Sequence, residues 1–324
     1  MANHSAPPPA TRAAAPTISV VLPVFNAARY LRRAVATLLA QTWSDFEIVA
    51  IDDGSTDESG AILESLAARE PRLVVRRRPN TGIVGALNDG LALARGEFIA
   101  RMDADDEAAP TRFAAQVARL RADPDLVALG SAIVFMDAAG HPVKSFPRPL
   151  EHDAIERALL AGDGGAMIHP AVTFRAAAVR RVGGYRPAAQ FVEDLDLFLR
   201  LARVGRLANL PTAELRYRVH PESVNFTKNA GRHAVKLAVL REAWTERGLA
   251  FDPARFPDSF ERYADQARHH REWSVTALAC GSRRVAIGHG CRAVRLQPFA
   301  AASWRALRYA LSAPRPRTPN CFQP

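Results

Sequence analysis

Three aspartates fall within four residues of the stretch GEFIARMDADDEAAP (96–110): Asp103, Asp105 and Asp106, directly after an apolar run. Carboxylates this close repel one another, so the chain must either solvate them in a turn or give them a counter-ion. A hard divalent cation such as Mg²⁺ or Mn²⁺ takes its ligands from carboxylate oxygens, which makes the stretch a candidate metal site; an acidic surface turn is the plainer alternative. A calcium helix-loop-helix is excluded, because the positions that need Gly and Glu, counted from Asp103, are Ala108 and Ala114. A second group stands in VAIDDGSTDESG (49–60), where Asp52 and Asp53 close another apolar run. They either bond to the backbone of an ordinary strand-to-helix turn or accept a hydrogen bond from a nucleobase N–H, beside a helix N-terminus that suits anions. A third pair, Glu193 and Asp194, opens the helical pattern FVEDLDLFLR, where acidic residues are already favoured by the helix dipole.

The periodicity supplies a scaffold for these groups. ISVVLPVF (18–25) is a near-continuous apolar run, as a strand covered on both faces requires. Helical spacing follows over about 28–41, then a strand at 46–52, a helix at 58–69, a strand at 72–77, a helix at 83–94 and a strand at 97–103. Ser55 and Glu58 have the spacing of a capping box. The alternation predicts a right-handed βαβ series and a parallel sheet, with ligands beyond the carboxyl ends of the strands, where PVFN, DDGSTD and DADD all fall. Residues 126–226 are mixed, with strands near 126–135 and 171–175 and a helix near 194–203. From 228 onward the pattern is mostly helical, with a boundary near Phe226. The expected map is a disordered leader (1–16), an α/β domain (17–226), a helical basic region (227–311) and a disordered tail (312–324). No GxGxxG follows the first strand and no GxxxxGKS occurs, which disfavours dinucleotide and P-loop sites.

At 324 residues the chain can bury a substantial core, yet no run of about 18 apolar residues predicts a membrane-spanning helix. The first 16 residues lack the apolar stretch of a signal peptide. Cys280, Cys291 and Cys321 are odd in number and lack ligand spacing, which fits reduced thiols in a cytosolic protein. The net charge of +10 is concentrated at one end: residues 228–324 hold 17 Lys and Arg against 7 Asp and Glu, and the rest is neutral. After Glu272 there are eight arginines and no acid. Such a region points to an anionic partner, and we expect peripheral contact with the inner face of a membrane; without a recognisable motif, nucleic acid is disfavoured.

In order, ISVVLPVFNAARYLRRAVATLLAQTWSDFEIVAIDDGSTD, RRRPNTGIVGALNDGLALARGEFIARMDADDEAAPTRF, HPAVTFR, VGGYRP, FVEDLDLFLRLARVG and LRYRVH resemble the family 2 glycosyltransferases over residues 17–226. The resemblance implies a GT-A fold: a mixed, mostly parallel α/β sheet flanked by helices with a Rossmann-like nucleotide-binding half, here followed by the helical C-terminal region. It implies an inverting, metal-dependent transfer from a nucleoside-diphosphate sugar, a UDP-sugar foremost, to a glycan or lipid-linked acceptor in cell-surface polysaccharide synthesis. Asp103 and Asp105, flanking Ala104, match the DXD motif that holds Mg²⁺ or Mn²⁺ against the donor diphosphate. Asp105 is the first candidate ligand, Asp103 lies near the ribose or metal, and Asp106 lies behind them. Asp53, or its neighbour Asp52, matches the carboxylate that reads the base. Pro23, Phe25 and Asn26 match the turn beside the base, although Phe25 reads equally as a core aromatic. Gly82 and Gly85 would admit the donor, and Asn80 and Asn88 would bond the nucleoside or sugar, unless Asn88 is a buried structural amide. Gly183 and Gly184 before Tyr185 match an acceptor-side loop, with a plain turn as the alternative. Glu193 and Asp194 match the ED motif, Asp194 as general base and Glu193 as the group that orients the acceptor. His220 matches a histidine that approaches the metal or diphosphate, or is structural; His169 caps or packs. Two alternatives stand: a non-catalytic nucleotide-sugar binding module, and a nucleotidyltransferase, although PVFNAARY lacks the Gly-rich, basic segment that the latter needs.

Overall fold

The computed structural model describes residues 15–146, 148–220, 231–258 and 265–313. Most of the expected leader and tail, the boundary residue Phe226 and Cys321 lie outside these residues. Four parallel strands, β1 (Ile18–Val24), β2 (Phe46–Asp52), β3 (Leu73–Arg77) and β4 (Phe98–Arg101), are joined by helices α1 (Ala28–Leu39), α2 (Ser59–Ala67) and α3 (Ile83–Leu93). Every residue of β1 and β2 is buried, as the near-continuous apolar run of β1 anticipates; buried Glu47 of β2 is held by Ser19 and Arg95. Val24 sits beside Asp52 in the ladder, so the loops that leave these two strands emerge together at one sheet edge.

The chain continues through β5 (Glu107–Ala108), α4 (Arg112–Ala122), β6 (Leu126–Met136), β7 (Pro142–Phe146), α5 (His152–Leu160), β8 (Thr173–Arg175), α6 (Ala176–Arg181), α7 (Glu193–Leu201) and β9 (Arg206–Arg218). The sheet runs β3-β2-β1-β4-β8-β6-β9-β5, with β7 pairing β6 beyond the segment that β8 occupies. Its β3-β2-β1-β4 part is parallel, and the antiparallel ladders all begin at β4 or later. Val20 and Leu22 pack on one face with Leu31, Val35 and Phe113, while Val21 and Ile99 pack on the other with Leu87, Phe198 and Leu201.

Three expectations are corrected here. The Ser55–Glu58 capping box does not form: the Ser55 hydroxyl accepts the Asn26 N–H at 3.1 Å, and α2 starts at Ser59 without a side-chain cap. The thirteen-residue strand β9 replaces what its residues suggested only as the motif LRYRVH. Helix α8 (Arg232–Thr245), assigned from sequence to the basic appendage, instead places Val239, Leu240, Ala243 and Trp244 in the main core. The separately packed unit is α9 (Gln266–Ala279), α10 (Arg283–Leu296) and α11 (Ala301–Ser312), whose Trp273, Ala277, Ala286 and Ala310 close on Val143 of β7.

Candidate active site

Strand β4 ends at Arg101, and the turn that follows carries the three aspartates. One oxygen from each of Asp103, Asp105 and Asp106 lies within 4.8 Å of the others. Their surroundings differ. Asp103 pairs with Arg101 at 2.6 Å, Asp105 meets His220 Nε2 at 2.9 Å, and Asp106 accepts the Arg218 N–H at 2.7 Å through one oxygen. The other oxygen of Asp106 is buried with no hydrogen-bond partner. Burial, then the charges of Asp105 and Asp103, push the Asp106 carboxyl well above the usual carboxylate range. Ala104 turns its methyl into the core, so the turn can offer a ligand only its backbone at that position.

Two buried arginines missed by sequence reading hold this turn. Arg101 is 5% exposed; burial opposes its charge, but Asp103 keeps it protonated. Arg218 donates to the Asp105 carbonyl at 2.7 Å, to Glu107 at 3.0 Å and to the Asp137 carbonyl at 3.3 Å, with its guanidinium over the Tyr30 ring. We expect Arg218→Met to cost about 1–3 kcal/mol in urea unfolding, because it takes the donor from the Asp105 carbonyl and the nearest of three arginines from buried Glu107, leaving Arg33 and Arg216. An unfolding midpoint unchanged by the substitution would refute that account.

Glu193 and Asp194 form the first turn of α7. Glu193 is buried with one oxygen unpartnered, whereas Asp194 is partly exposed and accepts the Leu195 N–H at 2.7 Å. Burial, then the charge of Asp194, pushes the Glu193 carboxyl up to about 7; burial raises Asp194 as well. The charge of Asp194 also acts on Asp103, and Arg101 acts on Asp103, Glu193 and Asp194 alike. Beneath them, buried His169 bonds the Tyr185 hydroxyl at 2.7 Å and packs among Phe174 and Phe198, so it packs rather than caps.

This pair predicts opposite pH trends. The base must be free of its proton, and burial raises the Asp194 carboxyl, so transfer should be lost as pH falls at a point above the ordinary aspartate range. Stability should run the other way. Between the ordinary Glu value of 4.5 and about 7 the folded chain keeps a proton that the unfolded chain releases, so stability present at low pH is lost as pH rises. Glu193→Gln should flatten part of that slope in denaturation measured across this window; an unaltered slope refutes the assignment.

The base-side residues divide into exposed and structural groups. Pro23 is buried within β1, and Phe25 is 52% exposed, which removes the core-aromatic reading. Asn26 has a positive φ of 49°, and its side-chain oxygen accepts the Thr56 N–H at 2.8 Å, tying together the loops after β1 and β2. Asp52 is fully buried, bonded to the Ser55 N–H at 2.9 Å and paired with Arg77 at 3.2 Å. Asp53 caps α3 from outside, accepting the Thr81 and Gly82 N–H groups at 3.2 and 2.9 Å beside Arg78. Gly54, at φ 74°, lets this loop lie against the backbone of exposed Asn80, where a Cβ would come within 2.8 Å of the Asn80 nitrogen. Asn88 is engaged as a structural amide, exchanging bonds with the Tyr185 N–H and C=O at 3.0 and 2.8 Å. Gly183 and Gly184 both have positive φ and form the turn that presents Tyr185.

The sequence pattern of glycosyl transferase family 2 matches residues 19–182. The amylovoran biosynthesis glycosyltransferase AmsE of Erwinia amylovora is 31% identical over 226 residues, covering 68% of this chain and 82% of the relative. Among solved structures, residues 1–349 of S. aureus TarS in complex with UDP-GlcNAc superpose with a TM-score of 0.59 at 17% identity, covering 91% of this chain and 90% of that one. The mannosyltransferase PcManGT from Pyrobaculum calidifontis, in complex with GDP-Man and Mn²⁺, superposes with a TM-score of 0.50 at 19% identity, covering 94% and 82%. The fold is therefore of the GT-A type.

Proposed function

The chain belongs to glycosyl transferase family 2, and from that membership we propose that it moves a sugar from a nucleoside-diphosphate sugar to a hydroxyl of a glycan or lipid-linked acceptor, with inversion. The observation that carries the reading is the meeting of two acidic groups of different character. Asp103, Asp105 and Asp106 cluster at the end of β4, and Asp194 opens α7 near enough for its charge to act on Asp103. In the displacement, the acceptor oxygen bonds to the anomeric carbon as the bond to the diphosphate breaks. The electron pair leaves on the diphosphate, and the acceptor proton passes to Asp194. Glu193, buried and next to Asp194 in the chain, orients the acceptor, and Arg101 offsets the charge of Asp103.

Three carboxylates, one with an orphaned buried oxygen, and the imidazole on Asp105 make a donor set that fits Mg²⁺ or Mn²⁺. Asp105 and Asp103, with His220, would hold the ion, whose charge would make the diphosphate a better leaving group. Asp53 and Asn26 anchor the loops where the base would lie. Uracil is the favoured base, after the UDP-GlcNAc bound by TarS; the GDP-Man bound by PcManGT makes guanine the alternative. We place the activity in the cytoplasm, in polysaccharide synthesis of the kind named for AmsE, with peripheral contact at the inner membrane face.

A panel of UDP- and GDP-sugars tests the proposal by thermal shift with Mg²⁺, Mn²⁺ or EDTA, and by slow donor hydrolysis. We expect one donor to stabilise the chain only with a metal present and to be hydrolysed. Stabilisation without any turnover would indicate a binding module, and no response to any donor would overturn the reading.

A further inference from the structure

Helix α11 is amphipathic in an inverted sense. Its buried positions are the small residues Ser303, Ala306 and Ala310, while Trp304, Tyr309 and Leu311 are each about half exposed. The small inner face follows from close packing: a Cβ on Gly290 of α10 would stand 2.9 Å from the Leu307 Cα. The large apolar side chains are thus left outside. The preceding turn adds Leu296 at the end of α10 and Phe299, which is 100% exposed. Trp304 is tied to this turn through its Nε1–H, which donates to the Pro298 carbonyl at 2.7 Å. A wholly exposed phenylalanine at a turn tip beside an outward tryptophan is an apolar patch left open among the described residues.

The charges around it are mostly positive; Asp265 is held by Arg271, which donates to Gln297 of the turn at 2.7 Å. Arg295, Arg305 and Arg308 are exposed, and among the described residues no carboxylate pairs with them. The sequence contains no acid after Glu272 to supply one. A second copy packed through the same face would bring the same arginines against it and be repelled. An apolar wedge rimmed by arginines instead fits a surface that is negative at the headgroups and apolar beneath them. No helix among the described residues is long and apolar enough to cross a membrane, so the contact would lie in the interface plane.

We propose that the α10–α11 turn and the outer face of α11 dock on an anionic bilayer, with Phe299, Trp304 and Leu296 inserted and Arg295, Arg305 and Arg308 on the headgroups. This gives the membrane contact of the proposed function its surface, and it is independent of the transfer chemistry. The full chain should co-sediment with vesicles of phosphatidylcholine containing phosphatidylglycerol, more weakly with phosphatidylcholine alone, and less at high salt. Each arginine near an anionic leaflet is worth about fivefold in binding, so reversing all three to glutamate should weaken it on the order of 100-fold. Phe299→Ser should weaken it about tenfold and reduce the blue shift of tryptophan fluorescence on vesicle binding.

The unmodified fold of both variants is checked by metal-dependent thermal shift with the nucleotide sugar, which should be unchanged; that measurement also separates failure here from failure of the transferase reading. Equal binding to neutral vesicles, insensitivity to salt, or full binding by both variants would overturn the proposal. So would preference for RNA over vesicles in competition, or a concentration-dependent dimer abolished by Phe299→Ser.

Discussion

Asp194→Asn is expected to lower sugar transfer by about 100- to 10,000-fold, the usual worth of a positioned general base, while donor affinity stays near that of the unmodified chain. The substitution keeps size and polarity and removes basicity. On the proposed reading the β4-turn aspartates hold the metal at the departing diphosphate, whereas the base of an inverting displacement must face the acceptor on the opposite side. Asp194 comes from a separate helix, and of the acidic pair it is the member with an exposed edge. Glu193 is buried, with one oxygen unpartnered, and its proton is held up to about pH 7. It is thus better suited to fix the acceptor or the Asp194 carboxylate than to receive a proton from solvent-side substrate. Glu193→Gln should therefore be the milder variant. If single-turnover transfer survives in Asp194→Asn, or dies only in Glu193→Gln, the two roles are exchanged or wrong.

Much of the scaffold could be read in advance because its physics is local. β1 and β2 are buried on both faces, and mostly apolar residues fill such positions, while buried Ser19, Glu47 and Asp52 are bonded to each other or to arginines. The acidic turn was visible for a similar reason, since like charges at that spacing demand an explanation. Other elements depend on distant partners. β9 mixes exposed and buried positions irregularly, and its pairing with β6 shifts register more than once, so no clean alternation marks it. Arg101 and Arg218 look like surface residues in sequence, because arginine is almost never fully buried unless paired; their partners come from turns and strands up to 113 residues away. Asn88 likewise reveals its role only through Tyr185, 97 residues on. The apolar stripe of AASWRALRYAL is real in sequence, but the large residues face out because Gly290 and the alanines let α10 and α11 approach closely.

Asp105→Ala should abolish metal-dependent donor binding, with an affinity loss of more than about 100-fold, since groups merely supporting a metal ligand already cost 10- to 100-fold. Among the three aspartates it is the informative one to remove. Asp103 is already compensated by Arg101 at 2.6 Å, and Asp106 is buried and holds the Arg218 N–H, so its loss would disturb the turn itself. Asp105 is only partly buried, and among the described residues its carboxylate meets His220 at 2.9 Å and no arginine. Its removal should therefore leave the fold intact and delete one oxygen ligand where the charge of the diphosphate must be balanced. Calorimetric titration of the nucleotide sugar with Mg²⁺, with Mn²⁺ and with EDTA reads the effect directly. The unmodified chain should bind only with metal, and Asp105→Ala should bind weakly in all three. Donor affinity that is the same in EDTA as in Mn²⁺, before any substitution is made, would mean that these carboxylates hold no metal and that Arg101 or another cation meets the diphosphate instead.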